Sequence, residues 1–221
     1  MSALLHRVAA LCAFMLLAAP AALAQHGTPQ MHQRFQDAER WSKIFDDPGR
    51  DAWQKPDEVL RALAPAPDAA VADVGSGTGY FAVRLARAVP QGRVYGADLA
   101  PDMVRFLNDR AAKEQLPNLS SHRAAPDDPQ LPEPVDLVLV VDTYHHIGAR
   151  ERYFGRLREA LKPGARVAII DFKPDSPVGP RNGRIAAERV AAEMSRAGFR
   201  LAAKHDFLPY QFFLVFEPTT R

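Results

Sequence analysis

The chain has 221 residues, with 28 lysines and arginines against 26 acidic residues, 47% hydrophobic and 24% charged side chains, and one cysteine. That balance argues against disorder, a collagen-like repeat or a zinc ribbon and fits one ordinary α/β-sized globular domain.

His6 and Arg7 precede an apolar run from Val8 to Pro20, and Ala22-Leu23-Ala24 precedes Gln25. This is the order of a secretory signal, with cleavage expected after Ala24 and a periplasmic or secreted product. The run falls well short of the ~20 residues a bilayer-spanning helix needs, so no stable membrane anchor is expected after cleavage. Cys12 sits in mid-run behind Leu11, a poor place for lipidation, and departs with the segment. Disulfides, Cys-ligated metals, thiol nucleophiles and thiol relays on metalloids then drop out. Arg7 departs too, and a formal charge near +1 gives no reason to expect a nucleic-acid partner.

Residues 25–64 read as a separate helical segment. Phe35, Trp41, Ile44 and Phe45 fall on one side of a helix, Asp46 to Asp51 break it, and a second short helix starts after Pro56. Arg34, Trp41, Phe45, Trp53, Gln54 and Lys55 make this segment too aromatic for a solvated tail. It is expected to cover the ligand edge of the main domain as a lid, with Gln54 or Lys55 reaching the ligand.

The main domain, 65–221, alternates strands and helices, which argues a parallel sheet with crossover helices. Strands are expected at 69–74, 93–97, 119–123, 135–141 and 166–172, with a final pair at 201–207 and 212–216. Helices are expected at 79–89, 101–115, 149–161 and 184–197, with Gly164 and Gly198 as left-handed caps after the last two. Tyr210, Phe212 and Phe213 read as core.

Ala72-Asp73-Val74-Gly75-Ser76-Gly77-Thr78-Gly79-Tyr80-Phe81 joins a buried strand to a helix, where glycines admit a cofactor to the backbone and the helix start offers free N–H groups. The spacing is G-x-G-x-G, with Tyr80 where a dinucleotide fingerprint needs glycine. A dinucleotide oxidoreductase is therefore disfavoured, as is a P-loop. Asp98 ends the second strand, where its carboxylate can accept from the two hydroxyls of a ribose. Past the fourth strand, Asp142-Thr143-Tyr144-His145-His146 occupies the usual ligand edge, and His145 or His146 could serve as a base because imidazole titrates near neutrality. A metal on this pair would need a further ligand from Asp142, Asp171, His26 or His32, and none is expected.

The stretches 71–81, 94–104, 135–147 and 161–172 resemble the class I S-adenosylmethionine-dependent methyltransferases, in that family's order. The resemblance implies a Rossmann-like seven-stranded, mostly parallel α/β sheet with helices on both faces, strand order 3-2-1-4-5-7-6 and strand 7 antiparallel. It implies S-adenosyl-L-methionine as cofactor, with Asp73 and the Gly75, Ser76, Gly77 and Gly79 loop at the methionine moiety and Asp98 on the ribose. Leu99 and Met103 would flank the adenine, Asp127 would accept from its amino group, and Asp142 would close the cofactor site. Tyr144 and Asp171 are expected to face the acceptor. The short chain, without an added recognition domain or basic patch, points to a small-molecule acceptor. A donor made in the cytosol sits awkwardly with export, so the alternative is an exported, non-catalytic protein that captures a nucleoside or related metabolite. The sequence assigns no oligomeric state.

Overall fold

A computed structural model describes residues 37–219. The signal segment, its cleavage position, His26, His32, Arg34 and Phe35 lie outside the described residues.

The N-terminal part supplies α1 (Ala38–Phe45), a 3-10 turn at Pro48–Arg50, α2 (Asp51–Gln54) and α3 (Pro56–Leu63). The main domain continues through β1 (Ala70–Val74), α4 (Ala82–Ala88), β2 (Arg93–Asp98), α5 (Pro101–Lys113), β3 (Leu119–Arg123) and β4 (Val135–Val141). It closes with α6 (Arg150–Leu157), β5 (Leu161–Phe172), α7 (Ala187–Arg196), β6 (Phe199–His205) and β7 (Gln211–Pro218).

The seven strands form one sheet in the order β3-β2-β1-β4-β5-β7-β6. β1 to β5 pair in parallel, and β7 runs antiparallel to both neighbours. The order places β1 and β4 side by side at the point where the winding reverses, which opens a crevice at their C-terminal ends. All five residues of β1 are buried, and β4 is buried at all but one position, as strands covered on both faces must be.

Side-chain alternation splits the core in two. Val71, Leu137, Leu139, Ala168 and Ile170 pack with α3, α4 and α5. Ala70, Ala72, Val138, Val140, Val167 and Ile169 pack with α6 and α7. The edge strands β3 and β6 are largely exposed, as their polar residues require.

Several boundaries differ from expectation: α4 starts at Ala82 rather than Gly79, β6 runs Phe199–His205 rather than 201–207, and the largest differences flank β5. α6 ends at Leu157, a 3-10 turn follows at Arg158–Ala160, and β5 already starts at Leu161. Val135 pairs with Leu161 and Leu137 with Arg166, so Lys162 to Ala165 bulge out of register. Gly164, at φ +79°, serves that bulge and caps no helix. Gly198, at φ +86°, does follow α7. The helix expected from Arg184 starts at Ala187, because the backbone at Ala186 is still extended, while the Arg184 side chain bonds the preceding loop.

Candidate functional site

The C-terminal ends of β1, β2, β4 and β5 open into a pocket of about 1100 Å³. Its first wall is backbone. Gly75, at φ +74°, leaves β1 and donates its N–H to the Ala97 carbonyl at 2.8 Å. A Cβ there would lie 2.2 Å from Thr143 Oγ1, so only glycine lets the β1 and β4 loops pass this closely. Gly77, at φ +52°, has a different reason: the nearest atom to a Cβ is on the Phe45 ring at 3.5 Å, and the backbone otherwise faces the pocket.

Gly79 is not in the pocket wall. A Cβ on it would strike Leu107 at 2.3 Å, so this glycine brings the turn against α5 rather than against a ligand, contrary to the sequence expectation. Ser76 and Thr78 line the pocket, and their buried hydroxyl oxygens have no partner among the described residues.

Asp98 stands beside this turn. One carboxylate oxygen accepts from Gly77 N–H and the other from Ala100 N–H, each at 2.9 Å. The pocket continues past Leu99 and Met103 to Ala124, Ala125, Pro126 and Asp127. Asp127 lies in this wall, with one oxygen in a surface ion pair with Arg156.

Two carboxylates face the other end of the turn. Asp73, 3% exposed in β1, is pushed up to about 7 by burial and then by the Asp98 charge, with Arg50 and the Ala82 N–H opposing. Asp142 follows β4 in the left-handed region, at φ +52°. Burial pushes its carboxyl up to about 7 as well, against the opposing Arg50 charge.

A closed ring of hydrogen bonds holds Asp142. Arg50 reaches it at 3.2 Å, Arg50 Nε donates to Gln54, Gln54 donates to Gln211 at 2.6 Å, and Gln211 donates back to Asp142 at 2.5 Å. Arg50 also lies 4.0 Å over the Tyr80 ring, and its remaining nitrogen donates to the Phe45 carbonyl. The N-terminal part is thereby tied across the crevice, with Trp41, Ile44, Phe45, Arg50 and Trp53 in the pocket wall.

Gln54 and Lys55 do not reach the pocket. Gln54 is fully buried within the ring, and Lys55 pairs with Glu58. Arg50 takes the place expected of them. Sequence reasoning missed it because the Asp46–Asp51 stretch reads as a helix break; the nearest signal was a cation inside a Pro-Gly turn flanked by acids. Gln211 carried no signal at all.

Beyond Asp142, a 3-10 turn at Tyr144–His146 separates neighbouring side chains. Tyr144 points into the core, fully buried, stacked on Phe154 and donating to Glu193 at 2.8 Å, so it lines no part of the pocket. The expectation of an acceptor contact there fails because consecutive residues on so tight a turn face different ways. His145 and His146 line the pocket, their rings 4.0 Å apart. Asp171 is 3% exposed and lies behind His145, which it holds through Nδ1 at 2.9 Å. It faces the histidine rather than the pocket. Phe212 and Phe213 are buried, and Tyr210 packs near Trp53. Among the described residues, no three His, Cys, Asp or Glu side chains are grouped so as to hold a metal.

The doubly wound sheet, the glycine turn and the strand-end acid define a nucleoside-binding α/β domain. Residues 71–164 match a family model described as a methyltransferase domain. Among curated proteins, the chain is 29% identical to an arsenite methyltransferase of Halobacterium salinarum over 150 residues, covering 62% of this chain and 38% of that protein. It is 34% identical to a trans-aconitate 2-methyltransferase of Deinococcus radiodurans over 121 residues, covering 54% and 45%. The chain thus spans less than half the length of these two relatives. A solved S-adenosylmethionine-dependent methyltransferase from Aquifex aeolicus superposes with a TM-score of 0.74 at 26% identity, covering 81% of this chain and 97% of that one. Residues 71–164 thus carry a methyltransferase domain, and the sheet around it is that of an S-adenosylmethionine-dependent methyltransferase fold.

The residues present fit that cofactor. Gly77 leaves open the space a side chain would fill, the Ser76 and Thr78 hydroxyls lack partners among the described residues, and the Asp98 carboxylate borders the same pocket.

Proposed function

We propose that this chain transfers a methyl group from S-adenosylmethionine to a small-molecule acceptor, and that it does so after export. The observation that carries the reading is one pocket whose wall includes both the Gly75–Gly77 turn with Asp98 and the aromatic side chains of the N-terminal part. Donor and acceptor can share such a space with water excluded, which is the main contribution an enzyme makes to an in-line displacement.

Asp98 would accept from the ribose hydroxyls beside its existing N–H bonds, and Leu99 and Met103 would flank the adenine. Asp127 would accept from the adenine amine. Asp73 and Asp142, acidic and close to Arg50, would receive the charged methionine end. When bound, S-adenosylmethionine supplies an electrophilic methyl group on a sulfonium. The side chains of this protein then have to align the acceptor in line with it and keep water out. Trp41, Phe45 and Trp53 do the latter from the N-terminal side.

Calorimetry with S-adenosylmethionine and S-adenosylhomocysteine on the chain from Gln25 onward, with NAD as control, tests the reading. Micromolar binding of the first two and none of the third is the expected result. Failure of both to bind overturns it and favours the capture of some other metabolite on the same fold. Export is checked separately, by N-terminal sequencing of the protein recovered from the periplasm or medium, which should begin at Gln25.

A further inference from the structure

One ring nitrogen of His145 is committed and the other is not. Nδ1 lies 2.9 and 3.0 Å from the two oxygens of Asp171, which also accepts from the backbone N–H of His145 at 3.1 Å and of Phe172 at 2.8 Å. A carboxylate taking these bonds acts as acceptor throughout, so Nδ1 carries the ring hydrogen and Nε2 presents a lone pair. Nε2 is buried and has no partner among the described residues. Buried polar atoms are ordinarily satisfied, and an exception at a pocket wall marks a site built for something that arrives later.

His145 shares its pocket wall with several apolar and aromatic side chains, next to the His146 ring. Ile147, Trp53, Phe172 and Pro180 stand in the same pocket wall, with Trp53 and Phe172 6.0 Å apart. Gly179 lies flat on the Phe172 ring, where a Cβ would come within 2.4 Å. Gly183 closes against His145, a Cβ there falling 3.7 Å from the imidazole edge. Arg184 stitches this loop into one piece by donating to the carbonyls of Pro174, Ser176, Val178 and Pro180.

We propose that the acceptor is a flat aromatic compound bearing a phenol-type hydroxyl, and that His145 Nε2 removes the hydroxyl proton as the oxygen attacks. The inference rests on the methyl-transfer reading above. The oxygen–methyl bond forms as the methyl–sulfur bond breaks, sulfur keeps that electron pair as a neutral thioether, and the proton goes to Nε2. Asp171 holds the resulting imidazolium and is a positioning residue, since it lies behind His145 and outside the pocket wall. A neutral amine already offers a lone pair and needs no base before attack, whereas a phenol, titrating near 10, lies within reach of an imidazole and an aliphatic alcohol does not. The aromatic wall selects for the ring face.

The chain has two tryptophans, Trp41 and Trp53, and both line the pocket, so tryptophan emission reads this pocket directly. The probes are 2-naphthol, its saturated counterpart decahydro-2-naphthol, and 2-naphthylamine, each titrated into protein saturated with S-adenosylhomocysteine and then assayed for methyl transfer from S-adenosylmethionine. The expected result is 2-naphthol binding at least about tenfold tighter than the saturated alcohol and being the only one of the three methylated. His145→Ala should lower kcat about 100-fold or more while leaving the S-adenosylhomocysteine Kd within about twofold, which also shows that the variant folds. Asp171→Asn should move the pH profile of kcat, on which the nearby Asp142 and His146 also act, rather than only lowering stability. Equal binding of the saturated alcohol, methylation of the amine at the naphthol rate, no methylation of the naphthol, or full turnover by His145→Ala would each overturn the proposal while S-adenosylhomocysteine binding keeps the methyltransferase reading standing. Loss of S-adenosylhomocysteine binding by the unmutated protein would overturn both.

Discussion

The glycine-turn side of the pocket is made largely of backbone, whereas the facing side is built on side chains brought from four separate segments. At the first, Gly75, Gly77 and Asp98 lie within one β-α-β unit, and the Gly77 N–H is held by Asp98 itself. At the second, Arg50 comes from ahead of the sheet, Asp142 and His145 from the end of β4, and Asp171 and Gln211 from two paired strands. A backbone site tolerates change poorly but is local. A side-chain site depends on tertiary contacts at every position and can be retuned one residue at a time.

The largest effect should come from filling the backbone wall. Gly77→Val places its side chain into the pocket with only the Phe45 ring nearby, so S-adenosylhomocysteine affinity should fall by about 100-fold or more. The left-handed backbone should cost ~1–2 kcal/mol of stability, read by thermal denaturation. If binding survives, the glycine turn does not face the ligand.

Asp98→Ala removes charge-assisted hydrogen bonds worth ~1.5–3 kcal/mol, so calorimetry should show about 10- to 100-fold weaker donor binding. Unchanged affinity would remove the ribose assignment.

A third test reaches the acids near Arg50. Asp73 and Asp142 are held up to about 7 in the free chain, so lowering the pH through 7 protonates them. A cationic ligand favours their ionised forms, and S-adenosylmethionine affinity should fall about tenfold from pH 8 to pH 6, with proton release on binding near neutrality. The neutral sulfur of S-adenosylhomocysteine should give a shallower curve. The same shifts bear on folding with a definite sign. These acids carry raised folded values, so their contribution to stability is greatest below the unfolded value of 3.8 and is lost as the pH rises towards about 7.

Gln54→Leu cuts the ring that ties the N-terminal part to β7 and leaves the buried Gln211 oxygen without its donor. A loss of ~1–3 kcal/mol by denaturant titration is expected, with donor affinity falling as well because the ring holds Asp142. Asp127→Asn should do least, since Asp127 pairs with the exposed Arg156 and such pairs contribute ~0.2–1 kcal/mol. A larger loss of donor affinity would mark Asp127 as a true adenine contact.

Legibility followed the same division. The glycine turn and Asp98 could be read because a strand, a tight turn and a helix start are set by neighbours in sequence. Gly79 shows the limit even there: the G-x-G-x-G pattern does not reveal that Leu107, from the next helix, fills the space above its third glycine. Gly164 looked like a helix cap but serves a bulge, because where α6 stops depends on how β5 pairs with β4. The His-His pair was visible. Its sorting was not, since Tyr144 turns to Glu193 in the core while His145 turns to Asp171.

By itself, the sequence determined the alternation of buried strands and amphipathic helices, the nucleoside turn and the acid that follows it, because each rests on periodicity or on backbone conformations only certain residues adopt. Only the tertiary structure decided that Arg50, Gln54, Gln211 and Asp142 form one ring, and that Asp171 fixes the tautomer of His145. Those contacts join residues as far as 157 positions apart, and which side chains meet over such separations is set by strand order and register, which local sequence does not encode.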